Sequence, residues 1–122
     1  MIAYTTLGVS DIEKAKAFYL SLLEDLELAV FMDLGRLVAM GTPAGGAMLA
    51  ICTPYNEEAP NPGNGNMIAS AAGSTEMVDK LHAKALSLGA TDEGAAGSRM
   101  DGFYGGYFRD ADGNKICLCH FG

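Results

Sequence analysis

The chain has 122 residues, 49% of them hydrophobic and 16 of them glycine, enough for one domain with a buried core and suited to a sheet-rich fold with tight corners. A formal net charge of −7 argues against nucleic acid and anionic membrane as partners, because an acidic surface repels both, and favours a small, soluble partner. Cys52, Cys117 and Cys119 are an odd number of thiols in apolar stretches, read as reduced and buried; with no basic-then-apolar leader and no run long enough to cross a bilayer, the expected location is cytoplasmic.

In chain order, Ile2 to Val9 is apolar and β-branched enough for a strand, and Ser10 with Glu13 forms a capping box that starts a helix. Ile12, Ala15, Phe18, Leu22 and Leu26 recur at helical spacing, so one stripe of that helix packs on a sheet. Leu28 to Leu34, Arg36 to Met40 and Ala47 to Thr53 read as three short strands, with Gly35 and the Thr42 to Gly46 cluster as turns. This half is βαβββ.

Pro54 to Gly65, rich in proline, glycine and asparagine, reads as a linker or a loop over a cavity mouth. Met67 to Ala72 is the next strand. Ser74 caps a second helix with Val78, Leu81, Ala85 and Leu88 as its buried stripe and Gly89 as its stop. A weak strand near Ala90 to Ala95 and a glycine-rich loop follow; Gly94 to Gly97 has no following Lys-Ser or Lys-Thr and is not a phosphate loop.

The chain closes on Asp101 to Gly122: an aromatic strand from Phe103 to Arg109, a turn on Asp110-Ala111-Asp112-Gly113-Asn114, and an apolar strand from Lys115 to Phe121. The turn residues tolerate positive φ or bond their own backbone, so this is a hairpin. Period two places Cys117, Cys119 and Phe121 on one face of the last strand and Ile116, Leu118 and His120 on the other. The second half is again βαβββ. A shift of 63 residues lays Tyr4 on Met67 and Asp11 on Ser74, which reads as an internal duplication with modules at about 1–57 and 66–122.

The closing Arg109-Asp110-x-Asp112-Gly113-Asn114 hairpin, with Leu7-Gly8-Val9-Ser10-Asp11 followed by Ala15, Phe18-Tyr19 and Leu22-Leu23, resembles the glyoxalase, bleomycin-resistance and ring-cleaving dioxygenase superfamily, the vicinal oxygen chelate proteins. The resemblance covers nearly the whole chain. It implies a single α+β domain over 1–122, in which tandem βαβββ modules form an eight-stranded curved mixed sheet, a cup with helices on its outer face. It also implies, by analogy, a homodimer. The fold alone does not imply one activity, since it hosts isomerases, dioxygenases, thiol transferases and drug-binding proteins.

Family metal sites use His, Gln or Glu on the first and last strands of the modules, donors suited to a divalent ion that polarises vicinal substrate oxygens. Carried over by landmark, those positions hold Tyr4, Met67 and Cys117, and the strand Ala47 to Thr53 contains no His, Glu, Gln or Asp. The expected metal set is therefore none, and no cofactor is expected. The cup is expected to be lined by Tyr4, Met67, Tyr104, Tyr107, Cys117 and Cys119, a set that binds a small organic molecule through flat aromatic bodies and hydroxyls or simply fills the interior. Arg99 and Arg109 are candidates for an anionic ligand at the rim, with a local ion pair to the turn as the simpler role for Arg109. His82 and His120, far apart in sequence, read as packing or surface residues. Three functions stay open: metal-independent binding, a lactoylglutathione lyase-like lyase or isomerase acting on a thiol adduct or another vicinal-oxygen substrate, and a thiol-dependent enzyme using Cys117.

Overall fold

Strand, helix and three strands follow one another twice along the chain. The computed structural model describes all residues, Met1–Gly122, and they form two compact units, Met1–Pro62 and Gly63–Gly122. The break falls inside the Pro/Gly/Asn-rich stretch from Pro54 to Gly65. No helix is long and apolar enough to cross a membrane.

In the first unit, β1 (Tyr4–Gly8) leads into α1 (Ile12–Leu22), a single 3-10 turn (Glu24–Leu26), and then β2 (Ala29–Asp33), β3 (Leu37–Gly41) and β4 (Met48–Cys52). The sheet order is β1-β4-β3-β2, with β1 parallel to β4 and the other pairs antiparallel. The second unit repeats the plan with β5 (Ile68–Ala71), α2 (Thr75–Ser87), β6 (Thr91–Met100), β7 (Phe103–Arg109) and β8 (Lys115–Phe121), in the order β5-β8-β7-β6 with β5 parallel to β8. Two helices and eight strands in two mixed sheets make an α+β protein of paired βαβββ modules.

The first helix begins differently from the capping box at Ser10 and Glu13. Asp11 is the N-cap: its backbone is extended (φ −134°) and its carboxylate accepts from the Lys14 N–H at 3.1 Å. An aspartate caps as well as a serine and adds a negative charge at the positive end of the helix, so the residue one place later wins. The helix stops at Leu22, before Leu26, and Glu27 turns the chain away in the left-handed region (φ 61°). Tyr19 and Leu22 are its most buried residues, while Ile12, Ala15 and Phe18 are half-buried. Lys16 on α1 reaches Asp33 at 3.8 Å, and Asp33 pairs with Val38. The α1 side of the sheet is therefore the one carrying Val38, Met40, Ile51 and Leu7, all buried.

The second helix starts as expected, with Ser74 Oγ accepting from the Met77 N–H at 3.1 Å. It buries Val78, Leu81, His82 and Ala85, but Leu88 is the C-cap and stays exposed. The larger difference is β6: the segment expected as a short strand and a glycine loop is one ten-residue strand with register shifts at Asp92/Gly94, Gly94/Gly97 and Ser98/Met100. An edge strand has a partner on one side only, so it absorbs bulges, and glycine makes them inexpensive. Helix α2 packs on β7, β6 and β8.

Candidate functional site

Residues paired directly across neighbouring strands share a face of the sheet, so the ladders of the second unit sort its candidate residues. Tyr107 pairs with Cys117, Gly105 with Cys119 and Phe103 with Phe121, while Ala69 and Ala71 of β5 pair with Cys117 and Cys119. Gly106 identifies the opposite face, because a Cβ there would meet the His82 ring of α2. Tyr107, Cys117 and Cys119 therefore lie on the face turned away from α2. Met67 stands one residue before β5, in phase with Ala69 and Ala71, and is 43% exposed.

Tyr104 is not brought together with these residues. It pairs with His120, and its hydroxyl donates to Asp79 Oδ1 on α2 at 2.6 Å, so it belongs to the helix side. Tyr104 and Tyr107 are three residues apart on one strand, and period two separates them. The bond to Asp79 is the main cause that raises the Tyr104 phenol above its ordinary value, followed by burial and by the charges of Asp79 and Glu76. Tyr4 belongs to the first unit, where it pairs with Met48 on the face away from α1 and is 57% exposed.

Cys117 has no exposed surface. Burial foremost, then the neighbouring Cys119, pushes its thiol up to about 11, with the Tyr107 hydroxyl and the Arg99 guanidinium pulling weakly the other way. At neutral pH it is a protonated thiol, and a nucleophilic role would need the reverse shift. The Tyr107 ring is flanked by two cations, Arg99 at 5.2 Å and Lys115 at 5.5 Å from its centroid. From the helix side, His82 Nε2 lies 3.1 Å from the Tyr107 carbonyl oxygen and 3.2 Å from Asp92 Oδ1. Since a carbonyl only accepts, the bond to Tyr107 places a proton on Nε2. His82 thus ties α2 to the backbone of the residue that presents the aromatic ring.

Arg109 is engaged away from the turn aspartates expected for it: Nε donates to Glu93 Oε1 at 2.8 Å and Nη1 to the Gly113 carbonyl at 2.9 Å. Asp110 instead builds the turn, accepting from the N–H groups of Asp112 and Asn114, each at 2.9 Å, and from Asn114 Nδ2 at 3.0 Å. Neither His82 nor Lys115 stood out in the sequence as a site residue. His82 carried a signal, four residues after Val78 on the buried stripe; Lys115 is in phase with Cys117 and Cys119.

The donor set does not suit a divalent metal. No group of three or more His, Cys, Asp and Glu side chains is placed to hold one, β4 offers only Met48-Leu49-Ala50-Ile51-Cys52, and the Cys117 thiol holds its proton.

A model of the glyoxalase/bleomycin resistance protein/dioxygenase superfamily matches residues 1–118. Among solved structures, a glyoxalase/bleomycin resistance protein from Albidiferax ferrireducens T118 is 34% identical, with 100% of this chain and 99% of that one covered and a TM-score of 0.89. A glyoxalase/bleomycin resistance protein/dioxygenase family enzyme from Burkholderia phytofirmans PsJN is 18% identical over 96% and 95% of the two chains, with a TM-score of 0.79, a likeness of fold. A lactoylglutathione lyase from Agrobacterium tumefaciens is 22% identical over 98% and 92%, with a TM-score of 0.72, a likeness of fold. The search of curated proteins gives no match.

Proposed function

Because the chain belongs to the glyoxalase/bleomycin resistance protein/dioxygenase superfamily, whose shared fold carries several chemistries, we propose that it is a single domain over 1–122 that binds a small organic molecule without the usual divalent metal. The observation that carries this reading is the sequence at the metal-ligand positions carried over by landmark, which holds Tyr4, Met67 and Cys117 in place of His, Gln or Glu. In the second unit the ligand meets Tyr107 and the row of Met67, Ala69 and Ala71, above the Cys117 and Cys119 thiols. Tyr104 is left out, its hydroxyl being committed to Asp79. The three free thiols suit a reducing, cytoplasmic setting.

Elemental analysis of protein purified without chelator tests this reading. Substoichiometric nickel, zinc, iron and manganese is the expected result, and one metal per chain refutes it. The rival, a lactoylglutathione lyase-like activity, predicts turnover of a hemithioacetal that is lost on chelation; inertness under saturating metal removes it. We also propose pairing into a homodimer. Edge strand β2 leaves Val30, Phe31 and Met32 exposed, with Phe31 at 71%, an apolar edge that a second copy would cover. Light scattering of wild type and Phe31→Glu checks this, and a monomeric wild type overturns it.

A further inference from the structure

Resting on the binding reading above, we infer that Arg99, Tyr107 and Lys115 select a ligand with an anionic head, a carboxylate or phosphoryl group on a small organic body. Cations are scarce in this chain, 8 Lys and Arg against 15 Asp and Glu, so carboxylate partners are plentiful. Arg109 takes Glu93, and Lys16 takes Glu13 and Asp33. Arg99 and Lys115 take neither; both converge on the ring of Tyr107, one from β6 and one from β8 on either side of β7.

A cation over an aromatic face gains modest attraction and leaves its hydrogen-bonding edge unused. Arg99 donates through Nη2 to the Ala95 carbonyl, and a guanidinium has five N–H donors in a planar fork. Lys115 brings three more. Two like charges beside one ring lie within roughly a Debye length, about 8 to 10 Å, of each other and repel. An anion received by both offsets that repulsion and uses the free donors. Arg36 over Tyr55 at 5.3 Å is a single cation on an exposed ring and lacks this convergence. The same face of the sheet supplies room for the organic body: Ala69 and Ala71 are small and exposed, and Met67 and Phe121 are exposed and apolar.

The test is an NMR titration of the full chain with benzoate, phenyl phosphate, inorganic phosphate and the neutral benzyl alcohol, reading the Tyr107 ring and Arg99 Nε–H signals. The expected result is saturable shifts with benzoate or phenyl phosphate, at least tenfold weaker binding of benzyl alcohol, and weakening as sodium chloride rises from 50 to 500 mM. Preference between the two organic anions assigns the head group. Inorganic phosphate binding as tightly as phenyl phosphate overturns the role of the organic body. An R99Q/K115Q double variant is expected to lose anion affinity at least tenfold; retained affinity in the folded variant overturns the inference. The selectivity and salt dependence are read on wild type, so they decide the matter even where the variant fails to fold. Benzyl alcohol binding as tightly as benzoate sinks anion selection while leaving the binding function standing. No shift with any probe overturns it as well, and metal content separately judges the metal-free reading.

Discussion

Gly105 and Gly106 are adjacent on β7, face opposite ways, and answer a methyl group differently. Neither has a positive φ, so alanine is allowed at both and, all else equal, stabilises by about 0.4–1 kcal/mol through the unfolded chain. At Gly106 the new Cβ would stand 3.0 Å from His82 Cδ2 and 3.2 Å from the Ala96 Cα. The first neighbour is held by its bond to the Tyr107 carbonyl, and the second is backbone of β6, which is paired with β7. Overpacking of this kind costs about 1–3 kcal/mol, so Gly106→Ala is expected to lose roughly 1–2 kcal/mol net. At Gly105 the nearest atoms, at 3.2 and 3.4 Å, belong to the far end of the half-buried Phe103 ring, which rests on the exposed Phe121 ring and can shift with it, so Gly105→Ala is expected to stay within about 0.5 kcal/mol of wild type. Urea unfolding followed by far-UV circular dichroism measures both. A His82→Ala background should shrink the Gly106→Ala loss, because the ring that is crowded is gone. Gly106→Ala as stable as wild type, or less harmful than Gly105→Ala, would refute the reasoning.

Asp110→Ala removes a buried acceptor of three hydrogen bonds that shape the β7–β8 turn and is expected to cost about 2–4 kcal/mol in urea unfolding; a loss under 1 kcal/mol would show the turn forming without it. The Cys117 thiol, pushed up to about 11 in the folded chain from an ordinary 9.0, stays protonated there while the unfolded chain ionises. Stability is therefore full below pH 9 and falls between pH 9 and 11, by up to about 3 kcal/mol, and Cys117→Ala should flatten that fall. Asp79→Asn should bring the Tyr104 phenol, raised by the Asp79 carboxylate, back toward 10.0, seen as an earlier tyrosinate step by ultraviolet titration; an unmoved titration would mean the bond is not formed in solution.

The fold was legible because its signals are local. The second N-cap at Ser74, the apolar stripe on α2 and the Asp110-to-Asn114 turn each depend on residues a few places apart; the cap and the turn form where expected, and the stripe does so through Val78, Leu81 and Ala85 but not Leu88. The repeat of strand, helix and three strands carried the topology. β6 was harder, since a glycine-rich edge strand with three register shifts has no clean alternation to detect. The site was legible only in part. Alternation put Cys117 and Cys119 on one face, and applied strictly to β7 it would also have separated Tyr104 from Tyr107. The cations around Tyr107 depend on register between β6, β7 and β8, and the reach of Arg99 back toward Ala95 follows from a bulge. Pairing across strands is not written in any one of them.

The thiol at the carried-over ligand position shows how environment, beyond residue type, bears on metal binding. A soft ion recruiting Cys117 needs the thiolate, so binding at neutral pH must first displace its proton. Burial foremost, with Cys119 beside it, raises that thiol from 9.0 to about 11, and a rise of about two pH units weakens such binding about 100-fold relative to an ordinary cysteine at the same position. The effect is opposite in sign to that of a cysteine built for coordination, where a nearby cation or helix N-terminus lowers the thiol. Arg99 and the Tyr107 hydroxyl do pull in the lowering direction, and burial outweighs them. A metal titration of wild type against Arg99→Gln separates the two effects: if burial governs, zinc affinity stays weak in both, whereas tight zinc binding lost with Arg99 would mean the guanidinium keeps the thiol ready to coordinate.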